Sequence, residues 1–181
     1  MKIKNYVKYF KGVCKHKWLV LKECYNYGIL WRGIWHDMSK FSISEFGPYA
    51  RYWIQNDGNM KGKTQEVQDQ FRVAWQHHAN HNLHHPGYWI NNDYEEPRAL
   101  RIPIQYVYEM VADWIACSIE HNNGFKQDEP LEYYKKNLRD NYHFHMATKV
   151  VLDMMMVDFM RYDYDFVILR IRDGYYEDVY D

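Results

Sequence analysis

From Ile3 to Tyr25 the chain repeats apolar residues at close to the 3.6-residue period, with Tyr6, Tyr9, Phe10, Val13, Lys17 and Val20 on one side and lysines between. A helix of that length and pattern has one face to bury, so the rest of the chain must supply a packed partner. The same spacing recurs. Gly28 ends or kinks the first segment, and a short apolar piece runs from Ile29 to Asp37. Ser42-Ile43-Ser44-Glu45 has the S-x-x-E capping pattern and opens a helix through Phe46, Tyr49, Tyr52 and Trp53. After a turn at Asn56-Asp57-Gly58-Asn59, helices are predicted over about Thr64–His78, Pro103–His121, Pro130–Leu138 and Met146–Met160. In the last of these, Val150, Met154, Val157 and Met160 are read as one side.

Residues 86–102 are read as a polar loop, and Asp165–Ile171 fits either strand or continued helix. The prediction is an all-α fold, a compact bundle of about six or seven helices in a single domain over residues 1–181. Its core spans about 3–160, and an acidic, Tyr-rich tail covers 161–181. Three uses of that tail stay open: covering a pocket, joining a homodimer, or packing on the domain.

The formal charge is −1, so no global field favours nucleic acid or an acidic membrane surface, although lysines crowd the start and carboxylates the end. The lysine-rich first helix is read as a solvated face, and neither nucleic acid nor a membrane is expected as a partner. Cys14, Cys24 and Cys117 are odd in number and form no CxxC pair, which argues against a disulfide framework or a thiolate zinc site. Reduced thiols and a cytoplasmic location follow. The longest apolar runs, such as Trp18–Leu21 and Met154–Val157, are far too short to span a bilayer.

Chemistry concentrates in the histidines. Of ten, five fall between His77 and His85, while His16 sits in the first helix and His36 directly precedes Asp37. Neutral imidazole and carboxylate suit Zn, Fe, Mn or Co, and a full ligand shell needs such groups from several helices. Asp113 lies in the otherwise apolar stretch Met110–Ile115, where a carboxylate must be paired (Arg98 and Arg101 are candidates), hydrogen-bonded or metal-bound. His77 and His81 share an i,i+4 spacing but are read as surface or supporting residues. His121, His143 and His145 are read as structural or exposed. There is no Gly-rich phosphate loop, and no nucleophile elbow surrounds Ser39, Ser42 or Ser44.

The ordered set His16, His36-Asp37 and Asp113 resembles the H…HD…D signature of the HD superfamily of metal-dependent phosphohydrolases. His36-Asp37-Met38-Ser39-Lys40 is similar to the HD-x-x-K motif of its HD-GYP branch, without that branch's GYP signature. His78, with His84-His85-Pro86, looks like the extra histidines used for a second ion. More narrowly, the run from His36 through Phe41 and Glu45-Phe46 to Trp75, His78, Asn82-Leu83-His84-His85-Pro86 and Trp89 resembles a family of uncharacterised HD-like proteins of bacteria and phages.

The resemblance implies one or two divalent ions (Mn, Fe, Co, Ni, Zn or Mg) and a metal-activated water that attacks a small phosphorylated substrate such as a nucleotide. It implies a first ion on His16, His36, Asp37 and Asp113, with a second on Asp37, His78 and His84 or His85. Catalytic roles fall to Asp37, His78 and Lys40, the last contacting phosphate as a point charge. Two other functions are compatible with the same resemblance: an HD-fold di-iron oxygenase, and a non-catalytic metal-binding sensor or phage accessory protein.

Overall fold

A computed structural model describes residues 3–54, 63–93, 95–122, 124–141 and 143–180. The turn expected at Asn56–Asn59 lies outside these residues. The fold is all-α, with a single two-stranded antiparallel pair among the described residues.

Helix α1 (Ile3–Asn26) ends in a Schellman turn. Gly28 takes φ 77°, and the Ile29 amide reaches back to the Cys24 carbonyl at 2.9 Å. The chain re-enters helix as α2 (Leu30–Trp35), which folds back on α1 across Gly33. A 3-10 turn (Met38–Phe41) then leads to α3 (Ile43–Ile54). Thr64 caps α4 (Gln65–His81), which packs along α3.

A second 3-10 turn (Pro86–Trp89) follows α4, and within the expected loop β1 (Ile90–Asn91) pairs with β2 (Arg98–Ala99). Helix α5 (Ile104–Asn122) runs through the centre against α1 and carries the densest buried face, Val107–Ala112 and Trp114–Ala116. The short α6 (Glu129–Tyr134) passes into a π-helical turn (Lys135–Arg139), and α7 (Met146–Arg161) follows.

The tail is helical. Asp163 caps α8 (Tyr164–Arg172) by accepting from the Phe166 amide at 2.8 Å, which decides the ambiguous Asp165–Ile171 stretch for helix over strand. A ninth helix, α9 (Tyr175–Tyr180), closes the described chain, so the described residues hold more α-helices than the six or seven expected. Both tail helices join the core through Val167, Ile171, Tyr176 and Tyr180, so of the three uses left open the tail packs on the domain. Tyr176 donates to Asp158 at 2.7 Å, and Tyr180 bonds the Ile102 carbonyl.

In α7 the side read from the sequence is the outer one: Val150, Val157 and Met160 are exposed and Met154 is partly buried, while Val151, Leu152, Met155, Met156 and Phe159 form the buried side. The helix is apolar nearly all round, so its sequence offers little contrast from which to choose a face.

Candidate metal centre

The centre forms where α1, the end of α2, α4, the turn after α4, and α5 converge. The end of α2 sets its geometry. His36 leaves the helix with extended ψ, and Asp37 takes φ 53° and ψ 27°, the only positive φ at a non-glycine among the described residues. Asp tolerates this left-handed conformation better than most residues. The reversal turns His36 and Asp37, both buried, toward one interior. Lys17 holds the turn from α1 by donating to the carbonyls of Ile34 and His36, each at 2.7 Å.

Four imidazoles face Asp37 and Asp113 through Nε2. His36 Nε2 lies 3.3 Å from Asp37 Oδ2 and 3.9 Å from Asp113 Oδ1. His78 Nε2 and His84 Nε2 lie 3.3 and 3.5 Å from Asp37 Oδ1, and His16 Nε2 lies 2.9 Å from Asp113 Oδ1. Donors bound at about 2.1 Å to one tetrahedral ion sit about 3.4 Å apart, so most of these separations are those of ligands sharing a cation. His36 Nε2, Asp37 Oδ1, His84 Nε2 and His85 Nε2 are buried and make no hydrogen bond, a costly state unless a cation takes up the lone pairs.

The outer nitrogens explain why the inner ones are available. His36 Nδ1 donates to Glu109 Oε1 at 3.1 Å, and His84 Nδ1 lies 3.3 Å from the same oxygen. His78 Nδ1 donates to Glu45 Oε2 at 2.9 Å, and His16 Nδ1 lies 3.5 Å from Glu120 Oε2. Each glutamate holds a ring proton on Nδ1, so a cation that displaces the proton from the inward Nε2 would find a lone-pair donor there, the arrangement usual for metal-ligating histidines. Two separate donor groups result, His16/His36/Asp113 and Asp37/His78/His84/His85, each with its donor atoms within 4.8 Å of one another. A third close group, His36/His84/Glu109, is the hydrogen-bonded support beneath them, since its contacts use Nδ1. These buried clusters could hold a metal ion.

The model of a family of unknown function, DUF5662, matches residues 5–157. The chain belongs to this family. No curated protein and no solved structure matches it. Every donor of this DUF5662 member, from His16 to Asp113, falls inside the matched span, whereas α8 and α9 follow it.

Electrostatics in the DUF5662 chain agree with a site built for positive charge. Burial works against protonating His36, yet Asp37, Glu109 and Asp113 raise it to about 10. His16 and His78 are likewise raised against burial, by Asp113 and Glu120 for the first and by Asp37 and Glu45 for the second. Burial opposes ionisation of Glu109, but His36 and His84 hold it down at about 2. The carboxylates therefore stay ionised and draw in cations. His85 goes the other way, pushed well down by burial and by its neighbours His84 and His78, as suits a neutral ligand. Lys40 Nζ sits 2.5 Å from Asp37 Oδ2, on the 3-10 turn rather than on a continued helix. Burial disfavours its charge, but Asp37 and Asp113 keep it protonated.

All the predicted ligands, His16, His36, Asp37, His78, His84, His85 and Asp113, meet here together with Lys40. Glu45 corrects an expectation. Instead of completing a capping box with Ser42, its carboxylate accepts from His77 at 2.7 Å, from His78 and from Ser39 at 3.1 Å. His77 is thus a partner of Glu45, and its ring stacks on that of His81. Glu109 and Glu120 are absent from the sequence reading. Glu109 had a signal: a second carboxylate one turn before Asp113 on the same apolar helix needs a buried partner for the same reason. The ring of Tyr49 packs edge-on to His78 at 5.9 Å.

Proposed function

We propose that this DUF5662 member is a metal-dependent phosphohydrolase acting on a nucleotide or another small phosphate ester. The observation that carries the reading is the set of four imidazoles, each with a glutamate at Nδ1 and with Nε2 turned toward Asp37 or Asp113, beside a charged Lys40. The resemblance of His16, His36-Asp37 and Asp113 to the HD superfamily supports the same chemistry.

One or two divalent ions, when bound, supply Lewis acidity and a nucleophile available at neutral pH. His16, His36 and Asp113 would hold one ion and His78, His84 and His85 the other, with Asp37 between them. Glu45, Glu109 and Glu120 keep the imidazoles in the correct tautomer. Lys40, one turn past Asp37 and ion-paired with it, would meet a phosphoryl oxygen as a point charge.

Elemental analysis of the purified protein, run beside a phosphatase screen of nucleotides with Mn, Co, Ni or Mg added, tests this. Bound metal and phosphate release are expected, and Asp37→Asn should remove both while the helical circular-dichroism signal stays. Unchanged metal content in that variant overturns the site assignment. Bound iron with O₂-dependent turnover and no phosphate release replaces the hydrolase with an HD-fold oxygenase. Full metal loading with no turnover of any ester leaves a structural or sensing ion.

A further inference from the structure

We propose that the outward face of α1 and α2 is a docking surface for an anionic lipid bilayer. The proposal is independent of the hydrolase reading. Along α1, the lysines at positions 4, 8, 11, 15 and 22 are all exposed. At 100° per residue, Lys4, Lys11 and Lys22 form one strip, flanked by Lys8 and Lys15 on one side and by Val7, Trp18 and Tyr25 on the other. The sole acid of α1, Glu23, is buried, and α2 has none. Among the described residues, only Lys15 of the five finds a carboxylate, Glu120 at 4.0 Å. Although the whole chain has a formal charge of −1, α1 and α2 expose positive charge alone.

Trp18 and Tyr25 flank the lysine strip, and α2 carries a second exposed aromatic pair, Trp31 and Trp35. Trp31 is 67% exposed, Trp18 and Tyr25 each 61%, and Trp35 54%. Trp31 and Trp35, 6.2 Å apart and one turn from each other, point away from the side of α2 that Gly33 presses onto α1. Trp18, Leu21, Tyr25 and Leu30 line a shallow groove of about 410 Å³ between the two helices, with Lys22 at its edge. Indole and phenol rings with one apolar and one polar end settle at the headgroup level of a bilayer. Lysines beside them are drawn to anionic headgroups while their stems lie along the apolar boundary.

Other occupants fit less well. The aromatic rings would also stack nucleic-acid bases, but the exposed aliphatic Val7, Leu30 and Ile34 among them gain burial only at an acyl boundary. An isologous dimer through this face would bring two lysine strips of like charge together. The expectation of no membrane partner rested on net charge, whereas the relevant quantity is its distribution over the surface. His36 follows Trp35 directly, and Lys17 bonds the Ile34 and His36 carbonyls, so a bilayer on this face would lie against the helix that carries the candidate metal centre.

Flotation with vesicles of phosphatidylcholine alone, or with about one-third phosphatidylglycerol, tests the proposal on the full chain. Binding is expected on the anionic vesicles only, weakening as added salt shortens the Debye length. Lys8→Glu, Lys11→Glu and Lys22→Glu together should lower partitioning by about a hundredfold or more. Trp31→Ala with Trp35→Ala should lower it by about tenfold. These side chains are exposed, so helicity and metal content should match the parent protein, and the comparison of the two lipid compositions needs no variant. Equal binding to both vesicles, or to neither, overturns the proposal, as does a charge-reversed variant that floats like the parent. So does a dimer by light scattering that the tryptophan substitutions dissolve, or retention of a single-stranded oligonucleotide in place of vesicles.

Discussion

Replacing Glu109 with glutamine removes one charge from beneath both halves of the cluster while barely changing side-chain volume. Oε1 serves His36 Nδ1 at 3.1 Å and lies 3.3 Å from His84 Nδ1, while Oε2 accepts from Arg32 Nε at 2.8 Å. An amide keeps one acceptor oxygen. If that oxygen stays with the histidines, the amide NH₂ meets the Arg32 N–H donor to donor. If it turns to Arg32, both imidazoles lose the acceptor that holds their tautomer. Outer partners of metal-ligating histidines are worth about 10–100-fold in affinity, or about 1.4–2.7 kcal/mol.

His36 belongs to one donor group and His84 to the other, so Glu109→Gln should weaken every bound ion. Glu45→Gln touches only the group containing His78. Competition titration against a chromophoric chelator measures the affinities, far-UV circular dichroism checks the fold, and Arg32→Met separates the arginine's share. A folded Glu109→Gln protein that binds metal as tightly as the parent would refute the role assigned to this carboxylate.

Three further outcomes are expected. Lys40→Gln should lower phosphate release by about 10²–10³-fold, as for loss of one donor to a developing oxyanion, without lowering metal content, since Asp37 loses a competing cation; turnover and elemental analysis on one preparation check it. Gly33→Ala should lower the melting temperature, at a cost of about 1–3 kcal/mol, because its Cβ would stand 2.9 Å from Leu21 Cα and 2.8 Å from Cys24 Cβ and force α2 off α1. Burial raises the Glu23 carboxyl from 4.5 to about 7, against smaller opposing effects of Asn26 and Lys22. The folded protein therefore keeps a proton that the unfolded chain releases above pH 4.5, and the stability this provides is lost as pH rises to about 7. Relative to the parent, Glu23→Gln should gain up to about 3 kcal/mol at pH 8 and little at pH 4.5, as read by urea unfolding at both.

The candidate ligands were legible through the resemblance of His16, His36-Asp37 and Asp113 to the HD signature, and Asp113 also because a carboxylate on an apolar helix needs a partner. Their glutamate partners were not. Glu45 lies three residues after Ser42, so a local capping rule offered it a cheaper assignment than a histidine on another helix. The contrast in α7 fails for a related reason: periodicity names a buried face only when the other face is polar, and Val150, Met154, Val157 and Met160 are as apolar as the residues that pack. Around α8 the cue was present in Asp163, whose cap decides between strand and helix once its acceptance from Phe166 is weighed. The lysines of the first helix were legible, whereas the exposure of Trp18, Tyr25, Trp31 and Trp35 follows only from how α1 and α2 pack.

The left-handed backbone at residue 37 narrows what substitution can do there. Glutamate offers a cation the same carboxylate, yet its longer side chain lacks the tolerance for this conformation that Asp and Asn share. Asparagine and glycine accept the backbone but not the negative charge. Steric and electrostatic demands would thus intersect on one amino acid, with the shape of the main chain restricting substitution as much as the charge it carries.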